Sequence, residues 1–314
     1  MPPILQAQSL VKKFNDFTAV DDVSFTIQEG EVFSLLGPNG AGKTTTISML
    51  SCLLAPTEGD AIIAGHSVAK DPMAVKRVIG IVPQDIALYE DLNATENLLF
   101  WGRMYGMSGG VLKQRVADVL EEVGLADKAK QRVKTYSGGM KRRINIAVGL
   151  LHKPRLLFMD EPTVGIDPQS RRNILDSVKA LNQQGMTVLY TTHYMEEAQE
   201  LSNRVGIIDH GKLIALGTQR ELTQMVGQLD ALRLHLPEGQ EIGPFVEALQ
   251  ALPDVRQVTA ADHELVLLVP EAQEAIPPVF TQADRLGFKI RSVEIQEPNL
   301  EAVFLHLTGR ALRD

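Results

Sequence analysis

Cysteine is nearly absent: the 314 residues contain one, Cys52, so no intrachain disulfide framework holds this chain together. Long apolar runs are missing too. The most extended, Leu156-Leu157-Phe158-Met159 and Leu265 to Val269, fall far short of the roughly 18 residues that a membrane-spanning helix requires. The opening residues, Met1-Pro2-Pro3-Ile4-Leu5-Gln6, have no basic segment leading into an apolar stretch, so no secretory signal is expected. A cytoplasmic location is the resulting expectation. Excess positive charge is also lacking: the net charge is −8. Sequence-independent nucleic-acid binding, which depends on Lys and Arg neutralising phosphates, is therefore not expected.

What is present is an ordinary globular composition. Hydrophobic residues make up 44% and charged residues 22%, enough apolar surface to exclude disorder as the main state. A length of 314 residues, about twice that of a common domain, predicts two domains. Charge divides unevenly between them. Residues 1 to 230 carry 24 basic against 26 acidic side chains, whereas residues 231 to 314 carry 7 against 13. A local basic cluster at Lys128, Lys130, Arg132, Lys134, Lys141, Arg142 and Arg143 reads as a solvated face. Cys52, among Met49, Leu50, Leu53 and Leu54, reads as a small buried apolar residue.

Val23 to Gln28 alternates apolar and polar, as a half-buried strand does. Val32 to Leu36 is a continuous apolar run that stops at Gly37, and helical spacing follows Gly42. Residues 90 to 153 change character, with helical patterns such as Val111 to Val123 between glycines, and read as a helical insertion. Parallel-strand signals return at Arg155 to Met159 and Met186 to Thr192, with a helix from about Ser170 to Gln184 between them. Val205 to Asp209 and Lys212 to Leu216, joined by His210-Gly211, predict a hairpin. From about residue 229 the order becomes β-α-β-β-α-β plus a closing helix, similar to the split β-α-β unit of small two-layer α+β domains.

The strongest chemical signal is Gly37-Pro38-Asn39-Gly40-Ala41-Gly42-Lys43-Thr44, which fits G-x-x-x-x-G-K-[ST]. Its glycines let backbone N–H groups curl around phosphate oxygens, and the helix that follows presents its positive end to them. Lys43 is expected to reach the β- and γ-phosphates, and the Thr44 hydroxyl to hold Mg²⁺. A buried strand, Leu156 to Met159, ends in Asp160-Glu161 at the edge where open α/β sheets bind ligands. Asp160 is the expected Mg²⁺ partner and Glu161 the group that orients or activates an attacking water.

With these motifs the sequence resembles the ATP-binding cassette (ABC) ATPases. Val82-Pro83-Gln84-Asp85 looks like the Q-loop, Tyr136-Ser137-Gly138-Gly139-Met140 the signature, and Asp160-Glu161 the Walker B pair. Gly165-Ile166-Asp167-Pro168 is similar to the D-loop, His193 stands at the switch-histidine position, and Phe14 precedes the P-loop where an adenine-stacking aromatic is expected. The resemblance implies an α/β P-loop NTPase fold: a RecA-like core, an antiparallel β subdomain and a helical subdomain at about residues 86–153. The cassette would span residues 1–228, with a small α+β accessory domain over 229–314.

It further implies that Gly37, Pro38, Asn39, Gly40, Ala41, Gly42, Lys43, Thr44, Thr45 and Gln84 contact ATP. Ser137, Gly138, Gly139 and Asp167 would do so across a dimer. Thr44, Gln84 and Asp160 would serve Mg²⁺, and Glu161, Lys43 and His193 would support hydrolysis. One P-loop and one signature per chain imply a homodimer with ATP at its interface. The C-terminal Glu297 to Gly309 resembles ATPase subunits of bacterial multidrug, polyketide-antibiotic and sodium exporters, which work with a separate membrane permease at the inner face of the cell membrane. Tyr136, Met140, Ile166 and Phe14 depart from the commonest family residues without removing a phosphate-facing group. A soluble ABC-type ATPase acting on a nucleic-acid or protein machine is the alternative reading; it usually carries two cassettes or a coiled-coil insertion, and this sequence has neither.

Overall fold

The computed structural model describes residues 2–225, 229–237, 242–261, 264–296 and 299–308. They form two compact units, one reaching Thr218 and one starting at Gln219. In chain order the first unit runs β1 (Leu5–Phe14), β2 (Phe17–Ile27), β3 (Val32–Leu36), α1 (Lys43–Leu50), β4 (Glu58–Ile63), β5 (His66–Ser67), α2 (Pro72–Val78), β6 (Ile79–Val82), α3 (Ala94–Met104), α4 (Gly109–Glu122), α5 (Gly138–Leu150), β7 (Leu156–Asp160), α6 (Pro168–Gln183), β8 (Thr187–Thr192), α7 (Met195–Leu201), β9 (Arg204–Asp209) and β10 (Lys212–Gly217).

Six strands form the central sheet in the order β10-β9-β3-β8-β7-β6, parallel except for the β9–β10 hairpin. Every residue of β3, β7 and β8 is buried, which explains why these strands read as near-continuous apolar runs. A second, antiparallel sheet, β2-β1-β4-β5, shares a core with it. Phe25 of β2 stacks on Phe33 of β3 with ring centroids 5.0 Å apart. The other face of the central sheet meets the helical insertion, whose α4 buries Leu112, Val116, Val119 and Leu120 at helical spacing. Asn93 and Glu96 form a reciprocal capping box that starts α3.

The second unit comprises α8 (Gln219–Met225), β11 (Asp230–His235), α9 (Gly243–Gln250), β12 (Gln257–Ala261), β13 (Glu264–Val269), α10 (Ala272–Leu286), β14 (Ser292–Gln296) and α11 (Leu300–Thr308). Its sheet is antiparallel throughout, in the order β12-β13-β11-β14, so β13 lies between β11 and β12, and β11 between β13 and β14, as a split β-α-β unit requires. Leu232, Leu234, Leu265 and Leu267 face Phe245, Leu249 and Val279 in one apolar core. Helix α8 packs on α11 and so groups with this unit, although the sequence places the division ten residues later, at 228/229. Among the described residues no helix is long and apolar enough to cross a membrane.

Candidate nucleotide-binding site

The P-loop leaves the buried end of β3 and enters α1 at Lys43. Gly42 takes φ +105°, and a Cβ there would approach the Ala19 carbonyl oxygen to 2.7 Å, so a side chain is excluded on both counts. Lys43 is buried, and its Nζ donates to the carbonyls of Gly37 at 2.7 Å and Pro38 at 2.9 Å. The same ammonium pairs with Glu161 Oε1 at 2.9 Å. Ala41 is buried beneath the loop. Asn39, Gly40, Gly42, Lys43, Thr44 and Thr45 open onto a cavity of about 300 Å³ that Gln84 and Glu161 also line.

Strand β7 delivers the two carboxylates. Asp160 is its last residue and 4% exposed. Burial raises its carboxyl above the usual carboxylate range, opposed by hydrogen bonds from the Thr191 and Thr44 hydroxyls. Thr191 Oγ1 donates to Asp160 Oδ1 at 2.6 Å and accepts from the Glu161 N–H at 3.0 Å. Glu161 has φ +43°, a left-handed conformation unfavourable for a non-glycine residue and held by those hydrogen bonds. Its Oε2 accepts from Gln84 Nε2 at 3.4 Å and lies 3.5 Å from His193 Nδ1. That ring nitrogen is buried and makes no hydrogen bond. Lys43, Gln84, Asp160, Glu161 and His193, distant in sequence, thus converge at the carboxyl ends of β3, β6, β7 and β8.

Ser137 caps α5 through its Oγ, which accepts from the Met140 N–H at 3.2 Å, and Asp167 caps α6 through the Ser170 N–H at 2.9 Å. The Asp167 carboxyl is held below its ordinary range by the Ser170 hydrogen bonds. Gly139 permits close packing of the two helices: a Cβ there would fall 2.2 Å from Ser170 Oγ. Gly138 stands beside it at the first helical position. None of these four residues lines the P-loop cavity.

The structure adds a second aromatic beside Phe14 and corrects the reading of the basic cluster. Phe14 pairs with Phe17 across the β1–β2 turn, and Phe17 is the one that lines the cavity. Phe14 instead carries Lys12 Nζ over its ring at 5.3 Å. In the basic cluster, Arg142 is not solvated but 3% exposed. Sequence reasoning also missed Thr191 and Glu197. Glu197 is buried and accepts from the hydroxyls of Thr163, Tyr190 and Thr192 at 2.7, 2.9 and 2.8 Å. Burial and this carboxylate push the Tyr190 phenol well up. Cys52 is half-buried, and burial raises its thiol. A separate, larger cavity of about 1040 Å³ lies between α2 and the helical insertion, with Met73, Met104, Tyr105, Met107, Val111 and Leu151 on its walls.

Comparison with known proteins agrees with this geometry. The family model described as ABC transporter matches residues 20–164. The linearmycin resistance ATP-binding protein LnrL of Bacillus subtilis (strain 168) is 49% identical over 313 residues, covering 99% of this chain and all of that one. The daunorubicin/doxorubicin resistance ATP-binding protein DrrA of Streptomyces peucetius is 39% identical over 310 residues, 99% of this chain and 94% of the relative. The dimeric structure of MJ0796, a bacterial ABC transporter cassette, is 28% identical with a TM-score of 0.62, covering 68% of this chain and 98% of that chain. The chain belongs to the ABC transporter family, as one of its ATP-binding, ATP-hydrolysing subunits.

Proposed function

We propose that this chain energises export of an antibiotic-type small molecule by a separate membrane permease, through closure of two copies over ATP. The names of LnrL and DrrA, which align over nearly the whole chain including its C-terminal unit, support the cargo class. Dimeric MJ0796 supports the pairing of cassettes. In that dimer Ser137, Gly138, Gly139 and Asp167 would meet the nucleotide held by the other copy, which accounts for their lying outside this chain's own cavity. The chain would then sit peripherally on the inner face of the membrane. The apolar cavity beside the helical insertion, with Met73, Met104 and Val111 exposed, offers the permease its contact.

The observation that carries the hydrolytic assignment is Glu161: a buried carboxylate in a strained conformation, within reach of Lys43, Gln84 and His193. Glu161 accepts the proton of the attacking water, Lys43 and the P-loop N–H groups hold the phosphates, and His193 stands beside the γ-phosphate. Phe17 faces the base. The oxygen set fits Mg²⁺: the Asp160 carboxylate, the Thr44 hydroxyl and the Gln84 amide are hard donors, and no described cluster of three His, Cys, Asp or Glu could cage a metal without substrate. When bound, the ion neutralises charge on the phosphate oxygens. Glu161→Gln tests the assignment. Turnover should fall at least about a hundredfold, as for loss of a general base, while ATP binding persists. Near-normal hydrolysis by that variant would remove Glu161 from the reaction.

A further inference from the structure

Arg142 projects from α5, five residues after the helix-capping Ser137, yet its guanidinium ends at the loop after β6. Nη1 donates to the Pro83 carbonyl at 2.6 Å and Nη2 to the Gln84 carbonyl at 2.5 Å. Burial lowers its pKa, opposed by nearby acidic groups, and an arginine remains charged in such a place. One turn further along, Asn145 Nδ2 donates to Asp85 O at 3.3 Å, and its Oδ1 accepts from the Ala87 N–H at 3.3 Å. The backbone from Pro83 to Ala87 is therefore hydrogen-bonded to one face of one helix. A rigid fork gripping two successive carbonyls fixes the peptide plane between them, which a single donor cannot do. The Gln84 side chain leaves that backbone towards Glu161.

We propose that Arg142 is a positioning residue that makes the Gln84 loop and the signature helix one mechanical unit, so that Gln84 reaches Glu161 only when α5 is seated. This rests on the role given to Gln84 in the reading above. A displacement of α5 carries Pro83 and Gln84 with it, because sliding the loop alone would strand the buried Arg142 guanidinium without its two carbonyl acceptors. The signature and the water-activating carboxylate, which do not touch, are thereby coupled through Arg142 and Gln84.

The test compares Arg142→Lys, Gln84→Ala and the double variant in the purified full-length chain. Lysine keeps the buried charge and loses the fork. ATP affinity, measured with a fluorescent ATP analogue, should stay within about twofold, because the P-loop is intact; kcat should fall about tenfold, as for one lost charge-assisted hydrogen bond. The double variant should be no slower than Gln84→Ala alone, since Arg142 acts through Gln84. If Arg142→Lys does not fold, Asn145→Ala, which frees the same loop, takes its place with the same expected pattern. Wild-type kcat, a loss confined to ATP affinity, or losses that multiply in the double variant would each overturn the inference. Should Gln84→Ala itself turn over normally, the role of Gln84 fails as well; a slow Gln84→Ala beside a silent Arg142→Lys removes the inference alone.

Discussion

Thr191→Val isolates a hydroxyl that serves the Asp160 carboxylate and the Glu161 backbone N–H. The residue is fully buried on β8, and valine matches its volume and strand preference, so the backbone and packing persist. The Glu161 N–H keeps a second acceptor, the Thr191 carbonyl at 3.2 Å, so the main loss falls on Asp160. A hydrogen bond to a buried charged group contributes about 1.5 to 3 kcal/mol. In a unit of this size that corresponds to a melting midpoint lower by about 3 to 12 °C.

The pH dependence carries a sign. Burial already raises the Asp160 carboxyl, and Thr191 is the strongest group pulling it down, so the variant raises it further. The folded state then holds a proton on Asp160 at pH values where the unfolded chain has lost it. Stability falls as pH rises through that window, and the deficit of the variant shrinks again in acid, where the carboxyl is protonated either way. The acid limb of kcat/KM for ATP should move to higher pH, because the proposed function needs the carboxylate. Melting curves and ATPase profiles across pH measure both. An unmoved acid limb with an unchanged melting midpoint would show that the Thr191 hydroxyl does not support Asp160.

Two further substitutions read other parts of the geometry. Gly139→Ala should cost about 1 to 3 kcal/mol by overpacking α5 against α6, whereas Gly138→Ala meets only Ile166 Cδ1 at 3.5 Å and should melt close to the parent; equal midpoints would refute the packing reason for Gly139. Phe17→Ala should weaken ATP binding about tenfold, the scale of one base–aromatic stack, and Phe14→Ala much less. Equilibrium titration of the two variants decides which aromatic faces adenine, and the reverse order would return that role to Phe14.

The groups proposed to handle phosphate were legible in the sequence because that chemistry needs neighbours in the chain: a glycine loop before Lys43 and Thr44, and an apolar strand before Asp160 and Glu161. The fully buried strands β3, β7 and β8 were legible for the same local reason. Strand β1 was not, because register shifts between Ala7 and Lys13 break the period-two alternation. The four-residue β6 and seven-residue α2 are too short to show a period. Arg142 was lost among six other cations, since what distinguishes it is a pair of carbonyls 58 and 59 residues earlier in the chain. Phe17 was missed because a turn, not a spacing rule, decides which aromatic of the β1–β2 hairpin meets the P-loop. In the second unit, Leu232-Arg233-Leu234-His235 shows the alternation of a half-buried strand, whereas Leu265 to Val269 is a continuous apolar run whose alternating burial only the fold displays.

The buried charged side chains among the described residues are Glu31, Lys43, Arg142, Asp160, Glu161 and Glu197, with His193 beside them. Glu31 sits before β3, where it accepts from the Gln28 N–H and pairs with Arg204. Every other one stands at the carboxyl ends of the central strands or reaches the loops there. Burying an ion costs several kcal/mol even when it is paired, so fold stability alone does not account for this concentration. A reacting phosphate does account for it, since groups already desolvated and held in place need not reorganise as charge shifts. Glu197 illustrates how the holding is done. Its three hydroxyl donors include Thr192, whose own Oγ1 accepts from the Tyr194 N–H at 2.9 Å. The Tyr194 ring in turn lies 4.1 Å from His193 and carries the Arg171 guanidinium at 4.0 Å. A carboxylate outside the P-loop cavity thereby fixes the peptide and the ring beside His193, the residue proposed to stand at the γ-phosphate.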